Sequence, residues 1–196
     1  MNSNDEARVA ALLAFWFGAP GTPECDQPRA IWFKSDAAFD AECARAFGAD
    51  QARADQGLCD DWALERDAAL ALILLLDQIP RNLFRGTPAA FACDPHARRI
   101  AGASIARGFD RAVPPIRRLF FYLPFEHSEE LSDQERSLAL YEAMPRTSDY
   151  ERHLDSARRH HAIIARFGRF PHRNRALGRA TTEAEETFLK EPGSSF

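Results

Sequence analysis

The chain lacks most of the features that announce a function. It has only four cysteines, at positions 25, 43, 59 and 93, and no two form a C-x-x-C pair. That spacing fits no zinc module and no disulfide framework, so free thiols in a reducing compartment are expected. H-E-x-x-H, G-x-S-x-G, G-x-x-x-x-G-K-[ST] and G-x-G-x-x-G are all absent. This removes the zincin, nucleophile-elbow, P-loop and dinucleotide-binding readings, and with them an expected metal or cofactor. The longest apolar run, 68–76, is far short of the ~20 residues that cross a bilayer. The opening MNSNDEAR is acidic at once and lacks the basic start of an export signal. There is no excess of positive charge either: 25 basic side chains face 29 acidic ones, for a net charge of -4. Neither nucleic acid nor an anionic membrane is an expected partner. Alternating strand patterns and hairpin dipeptides are also missing. The expectation is a cytoplasmic, all-α, single domain over 1–196.

Helical periodicity is abundant. Residues 5–17 place Val9, Leu12, Leu13 and Trp16 on one face and stop at Gly18-Ala19-Pro20. Ile31, Trp32 and Phe33 form a short aromatic anchor. A helix over 36–47 follows, with Phe39, Cys43 and Phe47 four apart and Gly48 placed to cap its end. Residues 51–62 read as helix and turn, interrupted at Gly57. The segment 65–78 is apolar all round, so it should be buried on every side and end near Asp77. Thr87-Pro88 and Asp94-Pro95 have the pattern of a capping residue before proline, and the second should open a helix reaching Gly108. Pro114-Pro115 opens another, which stops near Pro124. Three capping boxes are expected, at Ser132 with Glu135, Ser148 with Glu151, and Thr182 with Glu185. About eight helices with short connections predict an array of antiparallel helix pairs.

The residues with chemistry gather in a few places. The stretch 160–179 carries His160, His161 and His172 together with Arg166, Arg169, Arg173, Arg175 and Arg179. Guanidinium groups mixed with Phe167, Phe170 and Asn174 suit a carboxylate, a phosphate or a peptide terminus. Asp77 closes an apolar helix, where a carboxylate opposes the helix dipole and must be paired. Arg81, four residues on, is the near partner. Glu126 and His127 follow an aromatic run, and a carboxylate beside an imidazole supports general-base work. Each feature also has a purely structural reading: Asp77–Arg81 as a pin for a turn, Glu126–His127 as a solvated helix end, the arginines as neutralisers of this protein's own acids. Adjacent histidines on a helix diverge by about 100°, which argues against chelation of one ion by His160 and His161. The expected catalytic candidates are therefore Asp77, Glu126, His127, His160 and His161. Arg81, Arg166, Arg169, His172, Arg173 and Asn174 are the expected ligand-binding set. The expected ligand is a small anion or peptide; self-association and a protein-scaffold role stay open.

Three long motifs carry a resemblance. LLLDQIPRNLFRG (74–86), FFYLPFEHSE (120–129) and RFGRFPHRNRALGR (166–179), with FWFG near the start and Thr182-x-x-Glu185 near the end, resemble a widespread bacterial family of unknown function. The likeness spans nearly the whole chain. It implies an all-α, tetratricopeptide-like fold and implies no activity.

Overall fold

Helix α1 (Ser3–Phe17) begins where Asn2 accepts a hydrogen bond from the Asp5 N–H, and its predicted face, Val9, Leu12, Leu13 and Trp16, is buried. It ends at Gly18, whose φ of 89° excludes most residues. A Cβ there would also sit 2.8 Å from the Glu24 carbonyl oxygen. The computed structural model describes residues 1–195. After the turn that buries Trp32, Asp36 caps α2 (Ala37–Asp55) by accepting from the Ala38 and Phe39 N–H groups. Gly48 does not end this helix. It lies where α2 packs on a neighbouring helix, and a Cβ there would meet Leu83 Cδ2 at 3.8 Å. That is an ordinary van der Waals distance, so the helix simply continues through this position.

Helix α3 is the centre of the molecule. It comprises three continuous segments: Arg66–Ile73, a wide π-turn at Leu74–Gln78, and Ile79–Leu83. Its apolar residues from Ala68 to Leu76 are at most 2% exposed, as a sequence apolar on every face requires. The helix was expected to stop at Asp77 and instead runs through Pro80. Proline lacks an N–H and its ring crowds the carbonyl four residues back. The π-turn absorbs this, with the Ile79 N–H donating to the Leu74 carbonyl five residues earlier. Asp77 is therefore in mid-helix, inside the distorted turn.

The remaining helices are α4 (Asp94–Ala106), α5 (Pro115–Glu126), α6 (Leu131–Glu142), α7 (Tyr150–Phe167) and α8 (Glu183–Phe188). That makes eight helices and no strand among the described residues, in agreement with the all-α expectation. In the second half, packing follows chain order: α4 on α5, α5 on α6, α6 on α7. In the first half it skips, with α1 on the start of α3 and α2 on its end. This interleaving is how α3 comes to be covered on all sides.

One expected capping box of the three forms. Thr182 accepts from the Glu185 N–H while the Glu185 carboxylate accepts from the Thr182 N–H. Ser132 lies inside α6, whose cap is Glu130, and Asp149 rather than Ser148 precedes α7. Thr182→Ala should therefore cost about 1 kcal/mol of unfolding free energy. Ser132→Ala and Ser148→Ala should stay within about 0.5 kcal/mol of the unmodified protein. Urea denaturation of the three variants checks this ordering.

Candidate functional site

The Asp77 carboxylate has no solvent exposure. It is met from three directions: His127 Nδ1 lies 2.8 Å from Oδ1, Gln78 Nε2 donates to Oδ2 at 2.6 Å, and Arg81 Nη1 stands 3.4 Å from Oδ1. The Arg81 and His127 charges hold the Asp77 pKa well below the usual carboxylate range, against the desolvation that would raise it. An ionised carboxylate can only accept, so His127 Nδ1 carries the hydrogen; burial and the Arg81 charge lower the His127 pKa, and in the neutral ring Nε2 keeps its lone pair. The turn is closed by its own side chains. Arg81 donates to the Asp77 carbonyl at 2.6 Å, and Asn82 donates to the Gln78 carbonyl at 3.0 Å.

Arg81 also reaches forward. Its Nη1 and Nη2 donate to both oxygens of Asp94, at 2.9 and 3.0 Å. Asp94 was expected to cap α4; it is instead the first residue of that helix, and Cys93 precedes it. Its carboxylate accepts from Arg81 and not from a backbone N–H of the helix. Arg173 shares Asp94 only at the edge, with Nη1 3.5 Å from Oδ2. Its guanidinium is stacked between Phe91 and Phe170, at 4.6 and 4.5 Å from the ring centroids. Arg173 is 6% exposed, and its Nε has no protein acceptor. Burial and the nearby Arg81 charge lower its pKa to about 10.

Arg173, Asp94 and His127 line one cavity of about 270 Å³. Phe91, Pro95 and Leu177 supply apolar wall, while Arg98 and Glu129 add charge. Behind His127 lies a second carboxylate–imidazole pair. His160 Nδ1 is 3.0 Å from Glu126 Oε1 and 2.9 Å from the Ser156 carbonyl. The Ser156 hydroxyl donates to the same Glu126 oxygen at 2.8 Å. Opposite the His160 charge, Glu126 falls to about 2 despite its burial. The rings of His127 and His160 are 6.2 Å apart. Glu126 and His127, neighbours in sequence, thus serve different imidazole–carboxylate pairs.

The other expected site residues are placed elsewhere. His161 is half-buried on the adjacent face of α7. Arg166 is exposed and lies over the Phe167 and Phe188 rings. Arg169 pairs with both oxygens of Glu185, at 2.6 and 2.8 Å. Asn174 accepts from Arg179 and reaches Glu185, so it ties the C-terminal segment together instead of facing the cavity. His172 is half-buried, with its ring 5.6 Å from Phe170. Glu129 holds this segment down: it accepts two bonds from Arg179 and one from the Phe170 N–H. Sequence reasoning missed Asp94, Phe91 and Arg98. Asp94 carried a signal, but its place before Pro95 gave it a capping role.

All four cysteines are free thiols. Burial first, then acidic neighbours, pushes Cys43 and Cys93 up to about 12, which leaves no thiolate for nucleophilic work. Among the described residues, no helix is long and apolar enough to cross a membrane, and no cluster of three or more His, Cys, Asp or Glu is placed to hold a metal ion.

Fold and site together define an all-helical protein whose central helix presents a buried charge cluster to a small cavity. The model of a bacterial protein family of unknown function, DUF924, matches residues 12–193, and the chain belongs to that family. A solved structure of a protein of unknown function from Agrobacterium tumefaciens is similar over 94% of this chain and 98% of its own, with 40% identity and a TM-score of 0.83. No curated protein matches.

The half-buried histidines give the protein an acid-side instability. Burial and the adjacent Arg173 charge depress the His172 pKa from 6.5 to about 3. The unfolded chain therefore binds a proton that the folded protein refuses, and stability falls as pH drops from 6.5 toward 3. Glu126 acts lower: its contribution, present above 4.5, is lost as pH falls toward about 2. His172→Gln should lose less stability between pH 6.5 and 4.5 than the unmodified protein, with His127 and His153, also depressed by burial, contributing to the remainder. Equal losses in denaturation at the two pH values would contradict this assignment.

Proposed function

We propose that this protein binds a small anionic molecule, a carboxylate or phosphate, in the cavity lined by Arg173 and His127. One observation carries the reading: Arg173 is buried at the cavity wall with its Nε lacking a protein acceptor. A buried donor left unpaired costs about 1–3 kcal/mol, more when it is charged. Asp94 does not relieve it, because its Oδ2 meets the guanidinium at Nη1, 3.5 Å away, and not at Nε. The two phenyl faces fix the guanidinium plane, and a fixed plane favours an anion that accepts two parallel bonds.

A second reading has its own support. Asp77 orients His127 so that its unprotonated Nε2 is the ring atom left for the cavity it lines. That is the arrangement of a carboxylate-oriented general base. On this reading the protein is a small cofactor-independent hydrolase or proton-transfer enzyme, with Arg173 holding an anionic substrate. The anion site is common to both readings, so it is tested first.

A thermal-shift series with phosphate, sulfate and acetate should raise Tm by about 5–10 °C at a concentration near 100 times Kd. Arg173→Met should abolish that response with a mild change in Tm in buffer alone. Arg166→Met, at an exposed position, should leave it unchanged. A large loss of stability in Arg173→Met with the anion response retained would mean that Arg173 holds the fold and that the anion site is wrong.

A further inference from the structure

Arg173 Nε lacks a protein acceptor, yet its surroundings are balanced in charge. Arg81 and Arg173 face Asp77 and Asp94, two cations against two carboxylates. Around them each cation has its own carboxylate: Arg98 pairs with Asp133 at 3.2 Å and Arg179 with Glu129 at 2.7 Å. Behind His127, Glu126 faces His160 at 3.0 Å. Glu130 at the cavity mouth is exposed to solvent. A ligand anion therefore satisfies the Arg173 donor but leaves a negative charge with no spare cation. An uncompensated buried charge costs several kcal/mol.

We propose that the anion enters together with a proton taken up at His127 Nε2, so that the bound ligand lies between an imidazolium and the Arg173 guanidinium. This rests on the anion-binding reading above and assigns His127 as a ligand-binding residue. Geometry singles out this histidine. His127 lines the cavity, whereas His160 is held at Glu126 and His172 lies outside the cavity wall. Protonation at Nε2 leaves the Nδ1–H to Asp77 intact, so no bond of the Asp77 cluster breaks. In the ligand-free protein, burial and the Arg81 charge hold His127 below its ordinary value of 6.5, outweighing Asp77 and Asp94. An anion beside Nε2 opposes the Arg81 charge and favours the imidazolium. The linkage sign follows. Affinity is greatest below the ligand-free pKa of His127 and falls by about tenfold per pH unit until the liganded pKa is passed. The ligand class it favours is one that accepts from two separate cationic donors, such as a phosphoryl, sulfuryl or carboxylate group.

Sulfate and acetate are suitable probes because neither titrates near neutral pH, so any proton taken up belongs to the protein. Calorimetry of the full chain with each probe, in buffers of high and low ionisation enthalpy, reads that proton directly. The expected result is uptake approaching roughly one proton per anion between the ligand-free and liganded pKa values of His127. His127→Gln should abolish the uptake and flatten the pH dependence of affinity, while His160→Gln retains both. The unmodified protein supplies an independent readout in the His127 ring resonance, whose titration midpoint should move up in saturating sulfate. Binding without proton uptake, or uptake that persists in His127→Gln, overturns the proposal and leaves the anion site standing. Absence of binding by either probe overturns both.

Discussion

The ionised, fully buried carboxylate of Asp77 is the constraint on which the rest of this structure depends. A carboxylate in a dry core costs several kcal/mol unless charge and hydrogen bonds surround it. Here one charged guanidinium, one imidazole and one amide converge on it. Two of the three partners, Gln78 and Arg81, come from its own helix, where the backbone widens into a π-turn before Pro80. The third, His127, comes from the end of α5 and fixes that helix against α3. Removal of Asp77 would therefore loosen a helix junction as well as an ion pair.

The cavity follows from the same cluster. Arg81 satisfies Asp77 and then spans to Asp94 at the start of α4, which brings the α4 N-terminus to the π-turn. The C-terminal segment is laid over this junction and pinned by Glu129–Arg179 and Arg169–Glu185. These pins are partly exposed, so each contributes modestly, but together they set where Phe170 and Arg173 sit. The abundant arginines thus divide by role. Arg169 and Arg179 hold the segment in place, and of the arginines in that stretch Arg173 lines the cavity.

The helical plan was legible in the sequence because it rests on periodicity and on proline and glycine, which act locally. The all-apolar α3, the α1 face and the Thr182 box all follow from residues within a few positions of one another. The misreadings were of non-local origin. Gly48 has the right identity for a cap, yet α2 runs past it to Asp55 and packs on the end of α3. Pro80 has the right identity for a terminator, yet the π-turn carries the helix past it. The site was legible by residue type and not by geometry. Asp77, Arg81, Glu126, His127, His160 and Arg173 were singled out, and the structure brings them into one neighbourhood. Which imidazole faces which carboxylate was not readable, because neighbouring residues such as Glu126 and His127 project in different directions from a helix end. Asp94 and Phe91 were invisible for a related reason: their roles arise from contacts with residues distant in the chain.

The central claim is that Arg173 and His127 hold an anion in the cavity beside the Asp77 cluster. Anomalous diffraction from crystals soaked in selenate tests it most directly, because selenium reports the position of the anion itself. The account predicts a selenium peak inside the cavity, with selenate oxygens within hydrogen-bond reach of Arg173 Nε and His127 Nε2. Selenium peaks confined to exposed arginines such as Arg166 and Arg175, with none beside Arg173, would contradict it.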